Sequence, residues 1–151
     1  MFGLRREERI TLRPTWADRG DVLHLKASWT KGGKERDIPI ATEAQRALLN
    51  EAKEFAGAGS LIPAEMLYRG QLNRFKAQTA RAGIDRVHGL RHNCVQGRYA
   101  ELRGWKVPAA GGPTVKQLSP EKKRIDRVAR LTISRELGHE REQITAVYLG
   151  R

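Results

Sequence analysis

The sequence predicts a mainly α-helical fold with a small antiparallel β-hairpin, and three observations carry the prediction. Four stretches, 41–56, 65–82, 88–102 and 119–137, repeat apolar residues at helical intervals. Only residues 22–40 change to strand-like alternation, around Gly32-Gly33. The length of 151 residues is that of one ordinary domain, enough to close one core without disulfides or metal.

Taken in order, Leu4, Ile10 and Leu12 with charges between them predict a short helix within 3–12. It stops before Pro14, because the residue preceding a proline is pushed to extended backbone. Val22, Leu23 and Leu25, running on to Ser28-Trp29-Thr30, read as the first strand of a hairpin, and Ile38 and Ile40 mark the second. The turn Lys31-Gly32-Gly33-Lys34 then presents both lysines near its tip. Thr42 is an N-cap candidate for the next helix, whose spacing runs through Ala44, Ala47, Leu48 and Phe55 to a stop at Gly57-Ala58-Gly59-Ser60. In 65–82 the expected inner face is Leu67, Leu72, Phe75 and Ala80, closed by Gly83.

The stretch 88–102 turns Leu90, Val95 and Tyr99 inward, with Tyr99 read as packing. Residues 103–118, rich in glycine and proline, break all periodicity and read as an exposed loop insertion. Ser119-Pro120 restarts a helix with an N-cap and a proline at its first position. Ile125, Val128, Leu131 or Thr132, and Arg135 follow its turns to Leu137-Gly138. The closing segment has helical spacing through Ile144, Val147 and Leu149.

Charge narrows the function. The net charge is +12, divided as +3 over residues 1–40, +1 over 41–85 and +8 over 86–151. An excess of this size on a small domain calls for an anionic partner, and nucleic acid fits best. An anionic membrane surface is the weaker rival, since no segment pairs a basic face with a strong Trp/Phe/Leu face. No apolar run approaches the roughly 18 residues of a membrane span, and Met1-Phe2-Gly3-Leu4-Arg5-Arg6 is no secretory leader. The expectation is a soluble cytoplasmic protein without membrane contact. Cys94, the single cysteine, excludes an internal disulfide and is read as a small buried residue.

The candidate functional groups fall at both ends. His88 and Arg91 stand at i and i+3, so on a helix an imidazole and a guanidinium face the same way and can meet one anion. His139 follows the helix-stopping Gly138, and Tyr148 comes nine residues later. Arg5 and Glu8 have the same i, i+3 relation, where an acid can orient an arginine or form a solvated ion pair worth only about 0.3 kcal/mol. The histidines lack the short spacing to acids or cysteines that a metal site needs.

In order, Arg5, Lys31, His88, Arg91, His139 and Tyr148 resemble the catalytic set of the tyrosine recombinases, the phage integrase family, over nearly the whole chain. Gly3-Leu4-Arg5-Arg6-Glu7-Glu8 is similar to the family's first arginine motif. The stretch from Thr30-Lys31-Gly32-Gly33-Lys34 to Ile38-Pro39-Ile40 is similar to its hairpin lysine and following strand. His88-Gly89-Leu90-Arg91-His92 resembles the His-x-Leu-Arg-His signature, and Leu137-Gly138-His139 with Tyr148 resembles the spacing to the nucleophile. The 51 residues from His88 to His139 exceed the family's compact spacing, and the loop 103–118 and the long helix after it account for the excess.

The resemblance implies a tyrosine recombinase catalytic-domain-like fold over 1–151, with the family's preceding DNA-clamping domain absent. It implies strand cleavage and rejoining of double-stranded DNA through a 3′-phosphotyrosine on Tyr148, without cofactor, metal or ATP. Arg5 and Arg91 would hold the phosphate and Lys31 would protonate the leaving oxygen. His88 would serve as general base or phosphate ligand, and His139 would donate a further hydrogen bond. Glu8 would brace Arg5, and His92 would pack behind Arg91. Only three residues follow Tyr148, so the helix that many members exchange between subunits is expected to be lacking and Tyr148 to be loose. Integration or excision of a mobile element, with other protomers in a synaptic complex and a monomer when free, completes the expectation. Two alternatives stand beside it: a type IB topoisomerase-like relaxase, and a DNA-binding integrase remnant that does not cut.

Overall fold

The computed structural model describes residues 1–139 and 141–151, with Glu142 by its backbone alone. It is mainly helical with one two-stranded antiparallel sheet, and it divides into two compact units, Met1–His88 and Gly89–Arg151.

The first unit holds helices α1 (Arg6–Thr11) and α2 (Pro14–Ala17), strands β1 (Val22–Leu25) and β2 (Arg36–Pro39), and helices α3 (Glu43–Ala56) and α4 (Tyr68–Arg81). The strands pair from Val22↔Pro39 to Leu25↔Arg36. Alternation turns Leu23, Leu25 and Ile38 into a core with Leu4, Leu12, Ala17 and Leu49. The hairpin departs from the tight Gly-Gly turn expected of it. Residues 27–29 form a 3-10 turn, and the Thr30 hydroxyl reaches both Ala27 O at 3.1 Å and Lys34 O at 2.7 Å. That hydroxyl closes the connection as a loop of its own, so the strands stop early.

Helix α3 begins as expected. The Thr42 side chain accepts the Gln45 N–H at 3.2 Å, and the Gln45 side chain accepts the Thr42 N–H at 3.1 Å, a reciprocal capping box. Its inner face is Leu49, flanked by Arg46 and Lys53, which both reach Asp18 Oδ2 at 2.8 and 2.7 Å. These two cations fix the helix rotation. Ala44, Ala47, Leu48 and Phe55 consequently face outward. Burial alone would raise the Asp18 carboxyl; the bonds from Lys53, Arg46 and the Gly20 N–H outweigh it and hold the pKa below the usual range. In α4, Leu72 and Phe75 are half-buried, whereas Ala80 and the preceding Leu67 are exposed. Gly83, at φ 68°, ends it with bonds Gly83 N–H to Ala80 O and Ile84 N–H to Thr79 O.

The second unit comprises α5 (Val87–Arg103) from Gly89 onward, α6 (Pro120–Glu136) and the short α7 (Ala146–Leu149). Its core is Val95, Tyr99, Val107, Ile133, Leu137, Tyr148 and Leu149. Val95 and Tyr99 face inward as the spacing predicts, but Leu90 is exposed and Arg91 takes the buried position beside it. Residues 103–118 are largely exposed and irregular, as expected of a loop, but not featureless. α5 runs on through Arg103, 3-10 turns form at Pro108–Ala110 and Val115–Gln117, and Val107 and Leu118 are buried. The Arg103 guanidinium lies 3.9 Å over the Trp105 ring.

Ser119 caps α6 by accepting the Lys122 N–H, with Pro120 at the first helical position. The helix buries Asp126, Ala129, Arg130, Ile133 and Ser134, one residue out of phase with the predicted Ile125 and Val128, which are exposed. The closing segment is out of phase in part, with Leu149 buried as expected. Thr145, Tyr148 and Leu149 are buried while Ile144 and Val147 are exposed. Cys94 is partly buried. Among the described residues no helix is long and apolar enough to cross a membrane.

Candidate active site

In the first unit two of the expected site residues, Arg5 and Glu8, meet at the start of α1. Glu8, 1 % exposed, accepts the Arg5 backbone N–H at 2.7 Å through Oε2 and the Arg5 Nη1 at 3.1 Å through Oε1. An acid at the third helical position capturing the N-terminal N–H is half of a capping box. Arg36, from β2, adds a second guanidinium at 2.8 Å from Oε2, and it is buried as well. Burial alone would raise the Glu8 carboxyl. The Arg36 hydrogen bond and charge, with those of Arg5, outweigh it and hold the pKa below the ordinary value. The arrangement is therefore an Arg–Glu–Arg bridge, buried at Glu8 and Arg36 and half-buried at Arg5, rather than a solvated ion pair.

Arg36 was not among the expected site residues. Strand alternation contained the signal, since it places Arg36 on the same inward face as Ile38. Lys31 is exposed in the connection between the strands, two residues ahead of Gly33 at φ 66°. His88 is exposed in the first turn of α5.

In the second unit three expected residues converge. Arg91, 1 % exposed, donates from Nη2 to Leu137 O at 3.2 Å and from Nε to the Tyr148 hydroxyl at 3.3 Å. The His92 ring lies 4.7 Å from the Tyr148 ring, centre to centre, so His92 packs against the tyrosine. The Gln96 amide donates to Tyr148 O at 3.0 Å. Tyr148 is thus buried and bonded at both its hydroxyl and its carbonyl.

The C-terminus of α6 positions the remaining histidine. Gly138, at φ 79°, makes the left-handed step of a Schellman cap, with Gly138 N–H on Arg135 O and His139 N–H on Ser134 O, both at 2.8 Å. The same turn presents Leu137 O to Arg91, so one cap sets both the His139 backbone and the Arg91 side chain. Sequence reasoning also passed over Arg130, which joins Asp126 to the carbonyl of Gly150.

Chemically, the second unit places a buried guanidinium directly beside a phenol. Such a guanidinium can donate to phosphate or carboxylate oxygens. Among the described residues no group of three His, Cys, Asp or Glu side chains is placed to hold a metal ion. Comparison with protein-family models, with curated proteins and with solved structures yields no match.

Proposed function

We propose that this chain is the catalytic domain of a tyrosine-type site-specific DNA recombinase, with the fold of that family. The observation that carries the reading is the 3.3 Å approach of Arg91 Nε to the Tyr148 hydroxyl inside one unit. A phosphate drawn to that guanidinium would lie within reach of the phenol. The net charge of +12 supplies the attraction to the DNA backbone.

In this reading the Tyr148 oxygen attacks a DNA phosphodiester. The Oη–P bond forms, the P–O5′ bond breaks, and a 3′-phosphotyrosine and a free 5′-hydroxyl result. His88 takes the phenolic proton, and Lys31 gives a proton to the leaving 5′-oxygen. Arg5 and Arg91 donate to the non-bridging oxygens as charge grows there, and His139 adds a donor. Glu8 orients Arg5, and His92 supports Tyr148. Rejoining is the same sequence in reverse, with the 5′-hydroxyl of a second strand attacking the phosphotyrosine. The setting proposed is cytoplasmic integration or excision of a mobile element by several protomers on double-stranded DNA.

The test is a nicked suicide duplex that loses its short 5′ product after cleavage. A protein-DNA adduct on a denaturing gel, absent for Tyr148→Phe, is the expected result. Absence of any adduct across varied sites, also with an added DNA-clamping domain, favours a remnant that only binds. Relaxation of supercoiled DNA without a defined site favours the topoisomerase-like alternative.

A further inference from the structure

The four-residue α7 is far too short to hold its own shape, so its position must come from what grips it. Leu149, fully buried, anchors it in the apolar core. On the polar side Arg130 donates from Nη1 to Gly150 O at 2.9 Å, two residues beyond Tyr148. Arg130 is itself aimed: its Nε donates to Asp126 Oδ2 at 2.8 Å, one helical turn earlier on α6. The other Asp126 oxygen accepts the Tyr99 hydroxyl from α5. Burial, followed by donation to Asp126, pushes the Tyr99 phenol above its usual pKa, so it remains a donor. All three side chains are buried.

A buried ion pair of this kind is costly to assemble and adds little net stability over apolar packing. Its free arm is what distinguishes it. That arm ends on the backbone of the segment carrying Tyr148. Gly150, at φ 77°, packs so close to the turn at Pro108–Ala110 that a Cβ there would come within 2.9 Å of the Ala109 nitrogen, so the segment after Tyr148 is also held on that side by backbone packing.

We propose that Arg130, aimed by Asp126 and Tyr99, is a positioning residue that holds Tyr148 against Arg91 of its own chain. This rests on the recombinase reading. Without the tether, Tyr148 departs from its attack position and becomes available to a neighbouring chain.

The experiment uses the full chain as wild type, Arg130→Met, Arg130→Lys and Asp126→Asn on the suicide duplex. Arg130→Met is expected to slow adduct formation about 100-fold at saturating DNA while leaving DNA affinity within about twofold, and Arg130→Lys to recover part of the loss. In mixing, an Arg91→Ala chain contributes its tyrosine with a crippled site, and a Tyr148→Phe chain only its site. Adduct on the Arg91→Ala chain above that chain's own slow background is expected only when it also carries Arg130→Met. Hydrogen exchange without DNA gives a second readout: amides 147–151 lose protection in Arg130→Met while those of α5 and α6 keep theirs. Unchanged protection of 147–151, a wild-type adduct rate, or loss of protection throughout the second unit overturns the tether. If wild type forms no adduct, the recombinase reading fails, and the exchange experiment alone decides the tether.

Discussion

Arg36 on β2 donates to Glu8 Oε2 at 2.8 Å, and both side chains are buried. Because Glu8 also holds Arg5 by its backbone and side chain, one carboxylate joins the strand after the hairpin loop to the first helix. Removing it takes the shared carboxylate from the buried Arg36 guanidinium and from the half-buried Arg5. Glu8→Ala is expected to destabilise the protein by about 3 kcal/mol, the usual cost of deleting one partner of a buried pair. Urea unfolding followed by circular dichroism measures the loss.

The same carboxylate predicts a pH dependence. Its folded pKa lies below the ordinary 4.5, so its contribution is complete above about pH 4.5 and fades as the pH falls through the folded value. Asp18, lowered in the same direction, adds to the acid sensitivity. Denaturation midpoints measured from pH 7 down to pH 2 are expected to fall for wild type and to fall less for Glu8→Gln.

Lys31 is exposed, and its role in the proposed reaction is proton donation. Lys31→Ala is expected to leave stability within about 0.5 kcal/mol and to slow cleavage about 100-fold or more. A duplex with sulfur in place of the bridging 5′-oxygen has a leaving group that needs no proton. Cleavage of that duplex by Lys31→Ala is expected to approach the wild-type rate, and an equal deficit on both duplexes removes Lys31 from the acid role.

Arg91→Ala is expected to lower the cleavage rate by about 100-fold to 1,000-fold, the range for loss of a transition-state donor. Arg91→Lys keeps the charge but cannot reproduce the two-armed contact to Leu137 O and Tyr148, so it recovers only part. Single-turnover rates on the suicide duplex separate the two variants.

Which parts of this were legible in the sequence follows from the physics of each signal. Caps and stops act locally, and they were readable: Thr42, Ser119-Pro120, Gly83 and Gly138 all stand at the helix ends they announce. Helix rotation was legible only in part, for Val95 and Tyr99 face inward as expected. The apolar spacing turned Leu90, Ile125, Val128, Ile144 and Val147 inward, and the fold buries Arg91, Asp126, Arg130, Thr145 and Tyr148 instead. Spacing arguments assume that charged residues face water. Here the buried charges satisfy one another, as in Asp126–Arg130, or bond to backbone carbonyls, as in Arg91 to Leu137 O. The i, i+3 pair Arg5 and Glu8 was legible as a contact, but its burial depends on Arg36, 28 residues on from Glu8, which no local pattern reveals.

Affinity for DNA tests the electrostatic part of the account. Binding to a random duplex is expected to weaken linearly in log-log terms with salt, with a slope of about −0.9 per phosphate neutralised. Anisotropy titrations between 50 and 200 mM salt, values at which such losses are large, provide the slope. A binding constant independent of salt excludes the basic surface as the DNA contact.

The most direct test of the central claim is to locate the covalent bond. Wild-type adduct from the suicide duplex is digested with nuclease and protease and the nucleotide-bearing peptide sequenced by mass spectrometry. The account predicts a nucleotide joined through its 3′-phosphate to Tyr148, with the cleaved strand carrying a free 5′-hydroxyl. A nucleotide on another residue, attachment through a 5′-phosphate, or no covalent peptide at all would contradict it.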